Sequence, residues 1–433
     1  MESLEYTAQA ESSLVNGEVK LTISENSFSA VALFDAAQIP YAEINALDLS
    51  DYRVTVKADS GAYVFSRMGQ WAQPFFDSLL EAYNKAVLRS LFIKGDPILF
   101  AKGDYRYTEN GAMSCGTATV HVYENNVTVL PPDLTARRVP LCFVTGINKG
   151  DFELTLSLDT GESYTYAKLG YDTAPFADAV EKQIRALREK SLTTIKELDP
   201  SLTVAQASQL AKIMPEGAAA PMGQLMAIAP SFVAMLEEKL ANTRAAEYYA
   251  ALKELCDLSQ IYIGVVKNET GEDSGGLGDL TDGGNPMEAL GGLADGGNPM
   301  EALGNLTGSS DAPADDEDSE TPPSDPYLLW LIAPSPCGNY AIVEFSEADT
   351  ATFVYKTGGD FDGFARGLSR ALEAISFKRE VIRLTDEELR KPENADYYMA
   401  AKRTASLQFV RSNFASRIIH TNLEAWVAKL RSL

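Results

Sequence analysis

The feature that most constrains this chain is a duplication. With Pro40 aligned on Pro140, Asp51-Tyr52 meets Asp151-Phe152, Thr55 meets Thr155, and Asp59-Ser60-Gly61 meets Asp159-Thr160-Gly161. One inserted residue then brings Gly69 onto Gly170, Pro74 onto Pro175 and Phe75 onto Phe176. Read backwards, Glu25-Asn26 falls on Glu124-Asn125 and Gly17 on Gly116. An offset held near one hundred residues over this distance marks one structural unit written twice.

Each copy begins with period two, which places one strand face inside and one in water. Val19, Leu21 and Ile23 alternate with Lys20 and Thr22, and Tyr52, Val54 and Val56 alternate with Arg53 and Thr55. In the second copy Phe152, Leu154, Leu156 and Leu158 do the same. This alternation predicts Tyr52 and Phe152 on the inner face. Asp59-Ser60-Gly61 and Asp159-Thr160-Gly161 read as hairpin turns, with Gly supplying positive φ. The period then becomes helical. Phe75, Phe76, Leu79, Leu80, Tyr83 and Val87 form one stripe, and Phe176, Val180, Ile184 and Leu187 the other. A short meander cannot bury its inner face alone, and the closing helix covers it.

Several antiparallel strands closed by one C-terminal amphipathic helix resemble the pleckstrin-homology-like barrel, carried here by element order in both copies. The resemblance implies a binding fold. Phosphoinositide-binding members cluster Lys and Arg around the first hairpin. Here Ser24-Glu25-Asn26-Ser27 and Tyr123-Glu124-Asn125-Asn126 stand instead, with Lys20 nearby. The resemblance therefore points to protein binding rather than to a lipid headgroup.

The predicted architecture is α+β. Residues 1–95 and 96–198 are the two barrel-like units, and 199–267 is a helical connector ending in a strand. Residues 268–326 form a disordered acidic linker, and 327–433 an α+β C-terminal domain that carries the linker as an insertion. In the connector, helices are expected over 203–214, 222–240 and 244–258, with a strand over 260–266. Strands at 328–333, 340–345 and 350–355 precede a helical stripe of Phe361, Phe364, Leu368, Leu372 and Ile375. Capping-box patterns stand at Thr385/Glu388 and Thr421/Glu424. The strand-then-helix passage from Thr352 to Ile375 echoes the end of the repeated unit too loosely to count as a third copy.

Net charge is −24 over 433 residues. Residues 268–326 contain no Lys or Arg and fifteen carboxylates, so they supply more than half of the excess. A chain without a basic stripe is a poor nucleic-acid ligand, and its charge disfavours anionic membranes. The apolar stretch 218–235 is broken by Pro221, Gly223 and Pro230, which argues against a transmembrane segment. The start, Met1-Glu2-Ser3-Leu4-Glu5, lacks a signal peptide's basic and apolar regions. The four cysteines are widely spaced with no CxxC, which reads as reduced thiols and a cytoplasmic protein.

No catalytic, cofactor or metal motif is legible. His121 and His420 lack partners at metal spacing, and no G-x-S-x-G, P-loop or dinucleotide fingerprint is present. The run Asp315-Asp316-Glu317-Asp318 lacks EF-hand spacing and reads as solvated linker. Met214, Met222, Met226 and Met235 read as helix core, and the Lys and Arg residues from Lys378 to Arg417 as a solvated helical face that the acidic linker can visit. A decapeptide occurs twice within the linker, as residues 282–291 and 295–304. In it Asn285, Pro286, Met287 and Leu290, and again Asn298, Pro299, Met300 and Leu303, combine a cap, a first-turn Pro and a small apolar face. These eight residues are the candidate partner-binding positions, two motifs on one tether acting by avidity. The expected function is a non-enzymatic interaction or scaffold protein with an unknown protein partner. The alternatives are a lipid- or membrane-surface binder, and an enzyme of unrecognised type.

Overall fold

The computed structural model describes residues 5–109, 111–267, 326–346 and 351–433. Seven strands come first: β1 (Glu5–Glu11), β2 (Gly17–Ile23), β3 (Ser27–Val31), β4 (Ala36–Pro40), β5 (Ile44–Ser50), β6 (Arg53–Ala58) and β7 (Gly61–Ser66), followed by helix α1 (Ala72–Ser90). They form one curled antiparallel sheet in the order β4-β3-β2-β1-β7-β6-β5. The next run is β8 (Leu99–Glu109), β9 (Ala112–Val122), β10 (Asn126–Leu130), β11 (Arg137–Pro140), β12 (Val144–Lys149), β13 (Glu153–Leu158), β14 (Ser163–Ala167) and helix α2 (Thr173–Leu198). Its strand order, β11-β10-β9-β8-β14-β13-β12, repeats the first. Pro40 and Pro140 each end the fourth strand and lead into 3₁₀ turns, Tyr41–Glu43 and Leu141–Phe143. Pro has no N–H to donate, so a strand end suits it.

The same aromatic contact closes both units. Phe65 on β7 meets Phe75 on α1 edge-on at 6.3 Å, and the aligned pair Tyr166 and Phe176 meet at 5.2 Å. Phe75, Leu79, Phe176 and Val180 are fully buried under their own sheets. Tyr52 and Phe152 depart from the predicted inner face. The strands begin at Arg53 and Glu153, and both aromatics stand in the preceding turn, exposed to solvent. Tyr52 shares a two-residue turn with Asp51, at φ of 58° and 49°, which matches the right-handed twist of the flanking strands.

The remaining chain builds a third sheet. Helix α3 (Val204–Ile213) starts at a capping box of Thr203 and Gln206. Strand β15 (Ala219–Pro221) stands within the connector, where only helices were expected ahead of its final strand. Helices α4 (Met222–Ile228) and α5 (Pro230–Ala241) replace the single helix expected over 222–240, because Pro230 forces Ala229 out of helical geometry (φ −153°, ψ 95°). Helix α6 (Ala246–Leu255) follows. Strands β16 (Tyr262–Lys267), β17 (Tyr327–Pro334), β18 (Tyr340–Phe345) and β19 (Ala351–Lys356) lead to helices α7 (Phe361–Ala374), α8 (Glu380–Arg383), α9 (Asp386–Leu389), α10 (Ala395–Arg403) and α11 (Ala405–Asn413), then β20 (Phe414–Ile419) and α12 (Leu423–Arg431).

The sheet runs β15-β16-β17-β18-β19-β20, sequential rather than closed through a first-to-last pairing, so it differs from the repeated unit. The connector's last strand, β16, neighbours β17, and residues 268–325 therefore fall between adjacent strands of one sheet. The structure describes nothing of the acidic linker beyond Pro326. Gly264 on β16 admits the buried Trp330 indole of β17, since a Cβ there would stand 2.1 Å from the ring. The capping box at Thr385/Glu388 forms, whereas α12 is capped one residue later than expected, by Asn422 accepting from the Ala425 N–H.

Residues 1–266 and 328–433 form one compact unit. The edge strand β5 is covered by the second repeat, with the Leu47 N–H donating to the Pro132 carbonyl at 2.7 Å. Helix α10 packs on α1, and α7 on β11. The Arg138 guanidinium of β11 donates to both carboxylate oxygens of Glu373 on α7 at 2.6 Å, and both residues are buried.

Two stability outcomes follow from this packing. Phe176→Ala should cost about 3–5 kcal/mol in chemical denaturation; a loss under about 1 kcal/mol would contradict the packing described. Arg138→Met should cost about 3–5 kcal/mol because it strands a buried Glu373 carboxylate. Adding Glu373→Leu should recover most of that loss, and a double variant no more stable than the single would contradict a buried ion pair at this joint.

Candidate functional site

The repeated fold places corresponding side chains at corresponding ends. The β5–β6 turn and the entry to α1 lie at one end of the first unit, because Val54 pairs with Phe65 and the strands run on from there to Tyr52 and Arg67. In the second unit Lys168 donates its backbone N–H to the Phe152 carbonyl at 3.3 Å, which fixes the same arrangement. Each end therefore carries an aligned turn aromatic, Tyr52 or Phe152, and an aromatic in the helix-entry turn, Trp71 or Tyr171, which stand one position apart in the alignment. All four are between 57% and 103% exposed. Arg67 and Lys168, both at positive φ (59° and 55°), stand beside them. A non-Gly residue in left-handed geometry costs about 1–2 kcal/mol, so the chain holds Tyr52, Arg67 and Lys168 there against a local preference.

The eight linker positions named from the sequence, Asn285, Pro286, Met287, Leu290, Asn298, Pro299, Met300 and Leu303, lie outside the described residues. Among the methionines expected in helix core, Met214 and Met222 are buried, while Met226 is exposed. His121, expected to be an ordinary strand residue, sits 3.3 Å from the Tyr123 hydroxyl, and burial pushes its pKa down. His420 stacks on Tyr248 at 3.7 Å and lies 3.3 Å from the buried Glu344 carboxylate. Thr352 donates to Glu344, and the Trp426 indole N–H donates to Thr352 at 2.6 Å. This network ties β18, β19, α6, α12 and the residue that follows β20 together. Among the described residues no group of three or more His, Cys, Asp and Glu side chains is placed to hold a metal. No described helix is long and apolar enough to cross a membrane.

The C-terminal basic residues differ from the expected solvated face. Arg403 is 1% exposed and donates to the Tyr83 hydroxyl at 2.6 Å and to the Ile44 and Met399 carbonyls. Arg411 donates to the Val381 and Leu384 carbonyls at 2.6 and 2.7 Å, satisfying acceptors around α8 that helical bonding leaves open. Lys402 donates to Asp59 at 3.0 Å, and Tyr398 donates to the same carboxylate at 2.8 Å. In the second repeat the residue just past the equivalent hairpin turn, Glu162, accepts from Arg370 of α7 at 2.9 Å. The C-terminal helices thus grip the same hairpin edge of each repeat, with different residues. These arginines escaped sequence reading because their spacing is that of a surface helix. The aligned pair Tyr52 and Phe152 was visible in the duplication, and only their placement in the turn was not.

No protein-family model matches the chain, and no curated protein matches it.

The Asp59 tie sets a pH dependence. Burial alone would raise the carboxyl pKa, but hydrogen bonds from Asn45, Lys402 and Tyr398 outweigh it and hold it below the usual range. A folded pKa below the unfolded value of about 3.9 means the tie contributes fully above that value and is lost as pH falls through the folded one. Amide-exchange protection in α10 should therefore hold down to about pH 4 and drop on further acidification. In Asp59→Asn that step should be missing. An unchanged step in the variant would place the acid sensitivity elsewhere.

Proposed function

We propose that this chain is a non-enzymatic interaction scaffold of the cytoplasm, in which two pleckstrin-homology-like units present matching aromatic ends to a protein partner. The observation that carries the reading is the exposed aromatic pair at the same end of each unit: the aligned turn residues Tyr52 and Phe152, each joined by an aromatic of the helix-entry turn, Trp71 or Tyr171. Aromatic side chains with a basic neighbour are the groups that dominate protein interfaces, because they bury much area for little entropy. Two such ends in one compact unit favour a partner with two sites, or two copies of one partner, through effective concentration. The free state of all four cysteines fits a reducing compartment.

A protein partner is favoured over a lipid surface for two reasons. The β2–β3 turn of the first unit is engaged internally, with Arg89 donating to Asn26 at 2.7 Å. The net charge of −24 also opposes an anionic bilayer. The linker motifs at 282–291 and 295–304 remain candidates for a second, tethered contact.

The test pairs capture with vesicle sedimentation. Phe152→Ser with Tyr171→Ser, and Tyr52→Ser with Trp71→Ser, should each reduce recovery of the captured protein at least several-fold without altering the unfolding midpoint. Wild type should stay in the supernatant with phosphatidylserine vesicles. Recovery of the same proteins by all variants would reject the reading, and vesicle binding lost in the variants would install the lipid alternative. Tyr52→Gly separates function from stability. It relieves left-handed strain at an exposed site, so stability should hold or rise by up to about 1 kcal/mol while capture falls.

A further inference from the structure

A small, partly open cavity lies where the two repeats meet the C-terminal helices. Arg137 and Arg138 of β11, Arg370 of α7 and Arg403 of α10 line it, with Glu109, Glu162 and the Thr404–Ser406 start of α11. Its volume is about 20 Å³, room for one water-sized occupant.

The charges around it do not cancel. Arg137 pairs with Glu109 at 2.8 Å, Arg138 with Glu373 at 2.6 Å, and Arg370 with Glu162 at 2.9 Å. Tyr164 donates to Glu109 and, at 3.4 Å, to Glu162, so both carboxylates facing the cavity are already engaged. Arg403 is left over. Its three acceptors are a phenol and two carbonyls, and among the described residues no carboxylate lies within ion-pair distance of it. Burial raises the pKa of its phenol partner, Tyr83, which keeps that group neutral. Asp133 acts on Tyr83 through space and accepts from the Thr135 N–H of its own loop.

Among the described residues, the Nε–H groups of Arg138, Arg370 and Arg403 find no hydrogen-bond acceptor, and all three residues are more than nine-tenths buried. A buried donor left unmade, or a buried charge left unpaired, is costly. The first turn of α11 adds unbonded backbone N–H groups, and its N-cap, Thr404, makes no side-chain cap bond. The positive end of that helix favours an anion at the same place.

We infer that this cavity is a binding site for a small monovalent anion of halide size, held by the Arg138, Arg370 and Arg403 guanidinium groups and the α11 N-terminus. One negative charge balances the unpaired Arg403, and so small a space favours a monatomic ion over a polyatomic oxyanion. The bound ion joins β11, α7, α10 and α11, so it couples both repeats to the C-terminal helices.

The probes are chloride and bromide on the full chain. Crystals grown or soaked in sodium bromide should show an anomalous bromide peak inside the cavity. At constant ionic strength, replacing gluconate by chloride should raise the unfolding midpoint, and sulfate should not reproduce the rise. Arg403→Met should give the same midpoint in both salts. If that variant fails to fold, the bromide map and the chloride–gluconate comparison on wild type still decide. No bromide density in the cavity, or equal midpoints in chloride and gluconate, would overturn the site and leave it to a water molecule. An equal rise with sulfate would overturn its size selectivity.

Discussion

The buried Arg138–Glu373 pair is the interaction on which the arrangement of this molecule turns. A guanidinium and a carboxylate taken out of water together lose solvation that only close, two-point geometry restores. The pair therefore tolerates one placement of α7 against β11 and penalises others. Arg370, one turn earlier on α7, makes the same demand against Glu162. Two charged contacts at one helical turn's spacing set both the position and the rotation of α7 on the second repeat.

The first repeat is held by different chemistry. Lys402 and Tyr398 of α10 reach Asp59, and Arg403 reaches Tyr83 and the Ile44 carbonyl. Met399 enters the first repeat's core alongside Leu130 and Ala136 of the second. The duplicated units are thus equal in topology and unequal in attachment, one held by paired buried charges and the other by an aliphatic contact with a half-buried ion pair. A tandem whose copies each touch the same third element differently behaves as one body rather than as beads on a string. On the scaffold reading proposed above, a set separation of the aromatic ends would favour a bivalent partner over two independent ones.

The polar junction between these attachments gathers four arginines where an apolar core would stabilise more simply. Replacing buried ion pairs by apolar residues is often neutral or favourable, so such a cluster is weak evidence of stabilisation for its own sake. It does make the three-part assembly answerable to a small ion, because the charge left over after internal pairing sits where all three parts meet.

The sequence by itself determined the duplicated unit, the turn positions, the closing helices and the α+β class. These rest on period two, period 3.6, Gly and Pro placement and a constant offset, all of which act within a few residues. Phe75 and Phe176 were legible as core because a helical stripe needs only its own neighbours to be recognised. Tertiary structure decided the rest. Tyr52 keeps the alternation of its strand yet sits outside, because the turn ends the strand one residue before the pattern does. Pro230 split a helix whose apolar face alone looked continuous. The arginines of the C-terminal helices carry the spacing of a solvated surface, and Arg370 and Arg403 became interior because their partners arrive from 208 and 320 residues away in the chain. Charge pairing over such separations leaves no periodic trace, so only the folded chain shows which cations are paired, which is left over, and where a site can form around it.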